Sequence, residues 1–165
     1  MKKTQKRRRK EGKTDYKKRR NLLKSGIPRV VFRKTNKHIL VQYIKSKEAK
    51  DKVTFGVSSK DLLKYGWPKT FLGSLKSLTA SYLTGFLAGK IMKSKKLETP
   101  IVDGGMTRIV KKNRFFAFLN GLIDSGIEIQ CDSKNFPEEE RIKGKNLKKD
   151  FSSEFEKIKL KLEKI

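Results

Sequence analysis

Hydrophobic and polar residues alternate along three short stretches in the first third of the chain. Between residues 29 and 34, Val30 and Phe32 occupy one face of a strand and polar residues lie among those of the other face. Similar runs extend over residues 38–45 and 53–57. Because the connections between the runs are short and polar, the pattern predicts an antiparallel meander of three strands.

The periodicity then becomes helical. A short helix is predicted after Ser58, and apolar residues recur every three or four positions between residues 75 and 92. This longer helix contains Gly85 and Gly89, which lower helix propensity and therefore indicate close packing against the sheet or against RNA.

Two further strands and one more helix are predicted after the long helix. Residues 100–103 form a short apolar run, and Asn113 is placed to cap a helix that extends to about residue 125. Ile127 and Ile129 alternate after it and predict a last strand. Since helical crossovers join parallel strands, we expect an α/β fold. Its mixed five-stranded sheet would combine the antiparallel three-strand meander with a β-α-β-α-β segment, and helices would pack against it.

Composition divides the chain into three parts. Residues 1–25 form a basic arm, residues 26–131 an α/β core domain, and residues 132–165 a C-terminal extension. In the extension, apolar residues repeat by four and three from Phe151 to Ile165, which predicts an amphipathic helix. Docking of this helix on its own domain is favoured over contact with a partner protein.

Positive charge dominates the composition. The chain has 43 Lys and Arg against 17 Asp and Glu, for a net charge of +26. Its first twenty-four residues hold thirteen Lys or Arg and two acids. The few apolar side chains among them cannot offset the entropy lost when such a segment becomes ordered. A polyanion can order such a segment, because each neutralised phosphate releases counterions. A solubilising tail or a nuclear-targeting signal is the alternative, but the excess charge is not confined to the arm.

Residues suited to catalysis or metal binding are few. The single cysteine, Cys131, excludes an internal disulfide and a multi-cysteine zinc site, and His38 is the only histidine. The predicted strand order is typical of ribonuclease H-type folds, whose nucleases need convergent carboxylates. The candidates are Asp61, Asp103 and Asp124, although Asp103 could equally accept from the amides of Gly104 and Gly105 or pair with Arg108. We therefore expect neither a cofactor nor an enzyme.

No segment predicts membrane insertion or secretion. The longest apolar runs are a few residues, and no apolar region follows the basic N-terminus. Anionic lipid could still attract the arm. Together with the single cysteine, these features predict a reducing, intracellular compartment.

Three basic elements are candidates for binding nucleic acid. The first is the arm, with one aromatic residue, Tyr16. The other two are the first predicted hairpin and the loop before Asn113, which also contains Lys112. Basic elements that are separate in sequence but joined by one sheet suit a folded RNA, which proteins recognise by shape, phosphate contacts and stacking.

Four stretches resemble one protein family. They are RRRKEGKTDYKKRRNLLKSGIPRVVFRKTNKHILVQ (residues 7–42), ASYLTGFLAGK (80–90), DGGMTRIVKKNRFFAFLNGLIDSGIEI (103–129) and FPEEERIKGKN (136–146). They resemble the archaeal and eukaryotic form of the large-subunit ribosomal protein that binds 5S rRNA, universal protein eighteen. The resemblance implies a ribonuclease H-like motif without nuclease activity and a structural, cytoplasmic role in the large ribosomal subunit. It also implies that the protein helps to attach 5S rRNA there.

The resemblance also implies RNA contacts and partners. The RNA-binding candidates are Arg7, Arg8, Arg9, Lys10, Lys13, Tyr16, Arg19, Arg20, Arg29, Arg33, Lys34, Asn36, Lys37, His38, Arg108, Lys111 and Arg114. The implied partners are 5S rRNA, large-subunit rRNA and neighbouring ribosomal proteins, including the other 5S-binding protein. Two alternatives stay open: a metal-dependent RNA-processing enzyme on the same fold, and a general polyanion-binding protein.

Overall fold

A computed structural model describes residues 4–48, 50–147 and 150–165, apart from the side chain of residue 72. The first three residues of the predicted arm and residues 148–149 of the predicted C-terminal extension lie outside the described residues. Residue 49, within the polar turn predicted over residues 46–52, lies outside them as well.

Four strands form one mixed sheet in the described part of the chain. They are β1 (Arg29–Lys34), β2 (Ile39–Lys47), β3 (Lys50–Ser58) and β4 (Ile101–Asp103). The order across the sheet is β3-β2-β1-β4, in which β1 pairs antiparallel with β2 and parallel with β4. β2 and β3 are also antiparallel, so the predicted meander is confirmed.

The second hairpin is longer than the sequence predicted. Its strands continue through the polar residues expected to form a turn, and Lys47 pairs with Lys50. Glu48, in the turn between them, has a φ of 51°, in the left-handed region. Such a conformation is common in the tightest hairpin connections, whose twist matches that of the strands. This extension brings Asp51 into the sheet opposite Ser46.

Helices lie between and after the strands. The long ones are α3 (Leu78–Ser94), capped by Ser77, and α4 (Arg114–Asp124), whose Asn113 cap accepts from the amides of Phe115 and Phe116 as predicted. The C-terminal part contains α5 (Glu139–Lys143) and α6 (Ser152–Glu163), and short 3₁₀ helices span Ser59–Tyr65, Lys69–Ser74 and Ser133–Asn135. None of the described helices has the length and apolar character needed to cross a membrane.

α3 and α4 pack unusually close together because each presents a glycine to the other. A Cβ atom on Gly85 of α3 would overlap the carbonyl oxygen of Phe118, and one on Gly121 of α4 would overlap that of Tyr82. The sequence predicted that the glycines of α3 would face the sheet or RNA. Their partner is instead α4, and its aromatic side chains Phe115 and Phe118 contact Phe32 of the sheet.

The predicted fifth strand is not formed. Residues 127–130 lie outside any strand, so the sheet has four strands and not five within the described residues. α4 ends in a Schellman motif, in which the amide of Gly126 donates to the carbonyl of Ile123 and that of Ile127 donates to Leu122. This motif places an apolar residue against the end of the helix, which accounts for the burial of Ile127. The alternation with Ile129 therefore reflects a helix end and not a strand.

The C-terminal helix completes the core by packing against α3. Phe155, Ile158 and Leu162 of α6 belong to the same buried cluster as α3. Just before α6, the ring of Phe151 lies 4.7 Å from that of Trp67, measured between centroids. The amphipathic helix predicted in the extension thus docks on its own core.

The arm contains two helices that no pattern in the sequence predicted. They are α1 (Arg7–Lys10) and α2 (Tyr16–Lys24), and none of their residues is buried. Asp15 caps α2 by accepting from the amides of Lys17 and Lys18 at 3.0 and 3.1 Å. Local hydrogen bonds therefore shape the arm, in keeping with the prediction that it has too few apolar residues for a core.

Candidate nucleic-acid interface

A groove of about 980 Å³ lies between the arm, β1 and the loop that follows β4. Val31 and Ile44 line it and are almost fully buried, although they lie outside the main core cluster. Eight cationic and three acidic residues also line it. The cationic residues are Arg8, Lys13, Lys18, Arg19, Arg29, Arg33, Lys34 and Arg108. The surplus of positive charge makes this concave surface attractive to an anion.

The three acidic residues of the groove are already engaged within the protein. Asp15 caps α2 and lies 3.2 Å from the guanidinium of Arg9, while Asp51 and Asp103 both pair with Arg29. Backbone hydrogen bonds, first that from the amide of Lys18, lower the pKa of Asp15. All three therefore bind cations or amides of their own chain.

Arg29 forms the floor of the groove and is only 2% exposed. Its Nη1 lies 3.0 Å from Asp103 Oδ2, and its Nη2 lies 2.9 Å from Asp51 Oδ1 and 3.2 Å from Ser46 Oγ. A buried arginine held by two carboxylates presents little of its guanidinium to an RNA. Arg29, predicted from the sequence as an RNA contact, therefore lies buried in the floor of the groove. The sequence put it on the exposed face of β1 because both its carboxylate partners are distant in the chain.

Asp51 connects this buried network to the arm. Its Oδ2 accepts from Nη1 of Arg19, in α2, at 2.6 Å. Burial alone would raise the pKa of Asp51 and is the largest single influence. The hydrogen bonds from Arg19 and Ser46, with the positive charges of Arg19 and Arg29, outweigh it, and the pKa is lowered. Asp51 therefore holds the arm against the edge of the sheet at neutral pH.

Asp103 acts as a loop acceptor, one of the two roles considered from the sequence. Besides its pairing with Arg29, it accepts from the amide of Gly105 at 2.8 Å. The other candidate carboxylates serve elsewhere: Asp61 completes a capping box, and Asp124 accepts from the hydroxyl of Tyr82 at 2.6 Å. No group of three or more His, Cys, Asp or Glu able to hold a metal ion occurs among the residues that the structure describes.

The arm residues are partly held by contacts of their own. Nε of Arg8 donates to Thr14 at 3.0 Å, and Nη1 of Arg9 lies 3.3 Å from the sulfur of Met106, across the groove. Nζ of Lys6 lies 4.8 Å from the ring centroid of Tyr16. The contact between Arg9 and Met106 joins the arm to the loop after β4, and the other two contacts lie within the arm.

The structure brings about half of the sequence-predicted contacts into the groove. Those that line it are Arg8, Lys13, Tyr16, Arg19, Arg29, Arg33, Lys34 and Arg108. Those that do not line it are Arg7, Arg9, Lys10, Arg20, Asn36, Lys37, His38, Lys111 and Arg114. The second set lies on the arm, at the tip of the first hairpin, in the basic loop and, for Arg114, at the start of α4.

His38 differs from the other residues of the hairpin tip. Its side chain is partly buried, and its Nδ1 finds no hydrogen-bond partner among the described residues. Its backbone closes the turn, because the amide of Thr35 donates to the carbonyl of His38 at 2.9 Å.

Sequence reasoning missed two groove residues of different kinds. Lys18 lines the groove but was not selected, because the unpatterned arm gave no means of ranking one cation above another. Met106 lines it as an apolar residue inside a basic loop, a combination that was visible in the sequence.

The chain is similar to ribosomal proteins. Residues 2–101 match the model of a family described as ribosomal large subunit proteins 60S L5 and 50S L18. The matched range includes the arm, the meander and α3, and therefore most of the groove.

Individual archaeal proteins are similar over a longer part of the chain. The large ribosomal subunit protein uL18 of Korarchaeum cryptofilum is 45% identical over 141 residues, which are 86% of this chain and 70% of that protein. The protein of the same name from Caldivirga maquilingensis is 39% identical over 86% of this chain and 67% of its own length. That from Methanoregula boonei is 38% identical over 86% of this chain and 79% of its own length.

Proposed function

Because the chain belongs to the family of large-subunit ribosomal proteins 60S L5 and 50S L18, we propose that it binds 5S rRNA through the groove and its basic rim. As a member of this family it is a structural component of the large ribosomal subunit, in the cytoplasm. In that setting it binds RNA and serves translation.

The observation that supports the proposal is that the acids of the groove are paired within the protein, while several of its cations are not paired with any described residue. Its acids are each satisfied by groups of the protein, whereas Lys18, Arg33, Lys34 and Arg108 form no ion pair with any residue that the structure describes. Cations left over in a concave surface are suited to phosphates, and each contact releases counterions.

The proposed contacts are the sequence-predicted residues without Arg29. The groove set binds the RNA backbone, and the residues of the arm, hairpin tip and basic loop extend the interface at its rim. Arg29 instead positions the interface, since it joins β4 to the β2–β3 hairpin and, through Asp51, to Arg19 of the arm.

The partners follow from the same proposal. In the large subunit the chain would contact large-subunit rRNA and neighbouring ribosomal proteins, including the other protein that binds 5S rRNA. The C-terminal helix is less suited to such a contact than the rim, because its apolar face is used by its own core.

We further propose that the fold is a ribonuclease H-like motif used for binding and not for cleavage. The strand order β3-β2-β1-β4, with β1 and β4 parallel, supports the motif. Asp61, Asp103 and Asp124 each engage a different partner, which supports a role without catalysis. Labelled 5S rRNA that stays intact with the protein and Mg²⁺ or Mn²⁺ would agree, and cleavage abolished by Asp103→Asn would contradict it.

The same proposal retains three functional parts: an RNA-binding arm over residues 1–25, a core over residues 26–131 and an extension over residues 132–165. The extension supports the core through α6, and the arm supports the interface.

A comparison of two RNAs tests the proposed function. We expect 5S rRNA to bind more tightly than an unrelated structured RNA of equal length at moderate salt. Because several phosphates are contacted, affinity should fall by roughly 10³ to 10⁵ between low and moderate salt. Equal affinity for both RNAs would contradict specific recognition and would favour a general polyanion-binding protein.

A further inference from the structure

The loop between β4 and α4 exposes apolar side chains in a basic setting. Met106, Ile109 and Val110 are 43%, 52% and 48% exposed. Large apolar side chains that cluster at a surface commonly mark a contact site. Here three of the five positions from 106 to 110 carry such side chains.

The loop is fixed to the body of the protein. The amide of Lys112 donates to the carbonyl of Asn135 at 2.9 Å, and its Nζ lies 2.7 Å from Glu138 Oε1. Nδ2 of Asn113 donates to the carbonyl of Arg108 at 3.0 Å. Ile109 and Val110, between these anchors, are therefore held out towards solvent by a defined backbone.

Cations flank the apolar pair. Arg108 and Lys111 adjoin it in sequence, Arg114 follows, and none of the three forms an ion pair with a described residue. Met106 and Arg108 also line the groove, so the loop continues its wall. A partner that suits both features carries negative charge and also presents apolar faces, as an RNA with unstacked bases does.

Resting on the proposed function, we propose that Ile109 and Val110 form an apolar wedge against the faces of unstacked bases in the RNA that the groove binds. Arg108 and Lys111 contact the phosphates on either side of those bases. Aliphatic side chains are known to pack against or between bases in other nucleic-acid complexes. The groove thus supplies charge, and the wedge supplies contact with features that a uniform duplex lacks.

The double variant Ile109→Ser, Val110→Ser in the full-length chain tests the wedge. Its affinity for 5S rRNA should fall roughly tenfold to a hundredfold, the scale expected for burying the exposed halves of two aliphatic side chains. The slope of log K against log salt should stay unchanged, because no charge is removed. Fluorescence anisotropy with labelled RNA over a series of KCl concentrations measures both quantities.

Two variants serve as controls. Arg108→Gln with Lys111→Gln should weaken binding and also reduce the salt slope, by about 1.5, because two phosphate contacts are lost. Leu160→Ser removes a side chain that is 59% exposed on α6 and should leave both quantities unchanged. Equal thermal unfolding of all variants verifies that the fold is retained, as expected for exposed positions.

The outcomes separate the wedge from the proposed function. A loss of affinity at constant slope supports the wedge. If the wild-type chain binds 5S rRNA specifically and the double variant binds equally well, the wedge is refuted and the loop is left for a protein partner. A loss of slope in the double variant also refutes it. Failure of the wild-type chain itself to distinguish 5S rRNA refutes the proposed function.

Discussion

The arm and the α3–α4 pair are stabilised by opposite means. No residue of α1 or α2 is buried, and the arm is ordered by a helix cap and by ion pairs such as that between Arg19 and Asp51. In α3, by contrast, twelve residues are buried, and contact with α4 is close enough to require glycine. Exposed ion pairs contribute little to stability, whereas buried packing contributes most of it. We therefore expect changes in the arm to affect RNA binding and changes in the helix pair to affect folding.

Removal of residues 1–24 should show most strongly that the arm affects RNA binding more than it affects folding. We expect the affinity for 5S rRNA to fall roughly 10³-fold, the scale on which several phosphate contacts act. The free energy of unfolding should change by about 1 kcal/mol or less, since the ion pair between Arg19 and Asp51 is partly exposed. Anisotropy and urea denaturation measure these effects.

A synthetic arm of residues 1–25 is the companion to that truncation. It should bind weakly and with little preference between RNAs. If the isolated arm bound 5S rRNA as tightly as the whole chain does, the sheet and loop would have no part in recognition.

Arg29→Met should act on both regions, because Arg29 joins the body to the arm through Asp51. It leaves Asp103 with a buried negative charge, and we expect a loss of about 3 to 4 kcal/mol in the free energy of unfolding. Arg33→Met, on the same strand but exposed, is the matched control. It should reduce RNA affinity and leave the urea midpoint nearly unchanged; the reverse pattern would contradict these assignments.

Gly121→Ala tests the helix pair alone. Its Cβ would meet backbone atoms of α3 that cannot rotate away, so we expect a loss of about 2 to 3 kcal/mol in the free energy of unfolding. The control is Gly73→Ala, where no atom lies within 4 Å of the added Cβ. A stability equal to that of the control would show that the helices can separate at little cost.

Acid should release the arm from the sheet, and we expect this effect to be smaller than those of the truncation and the substitutions. The pKa of Asp51 lies below its ordinary value of 3.8, so its contribution to folding is complete above the unfolded-state pKa and is lost as the pH falls through the folded-state value. The protection factors of the α2 amides against hydrogen exchange, taken relative to the intrinsic rate at each pH, should fall over this window. Asp51→Asn should show fast exchange at neutral pH as well, and equal protection in both proteins would exclude Asp51 as the tether.

Local signals predicted much of the fold. The alternation around Val30 and Phe32 located β1, and Asn113 located the start of α4, because strand faces and caps depend on neighbouring residues. The basic arm, the first hairpin and the basic loop also contain most of the cations that line the groove.

The structure differs from the sequence predictions mainly where contacts between residues distant in the chain decide burial or packing. Arg29 alternates as an exposed residue does, and only the convergence of Asp51 and Asp103 buries it. Gly85 signalled a close approach, but the identity of the approaching element depends on the helix packing. Ile127 shows that a strand-like alternation can also come from a helix end.

The contact between Trp67 and Phe151 has a consequence for the time course of synthesis. A nascent chain that has emerged as far as α4 already contains the arm, the sheet and the basic loop, yet Trp67 has no aromatic partner from the segment that begins at Phe151. The part of the chain that contains the arm and the groove is thus translated well before Phe151 can cover Trp67. Premature termination before Phe151 would leave that surface open and expose the product to proteolysis or aggregation.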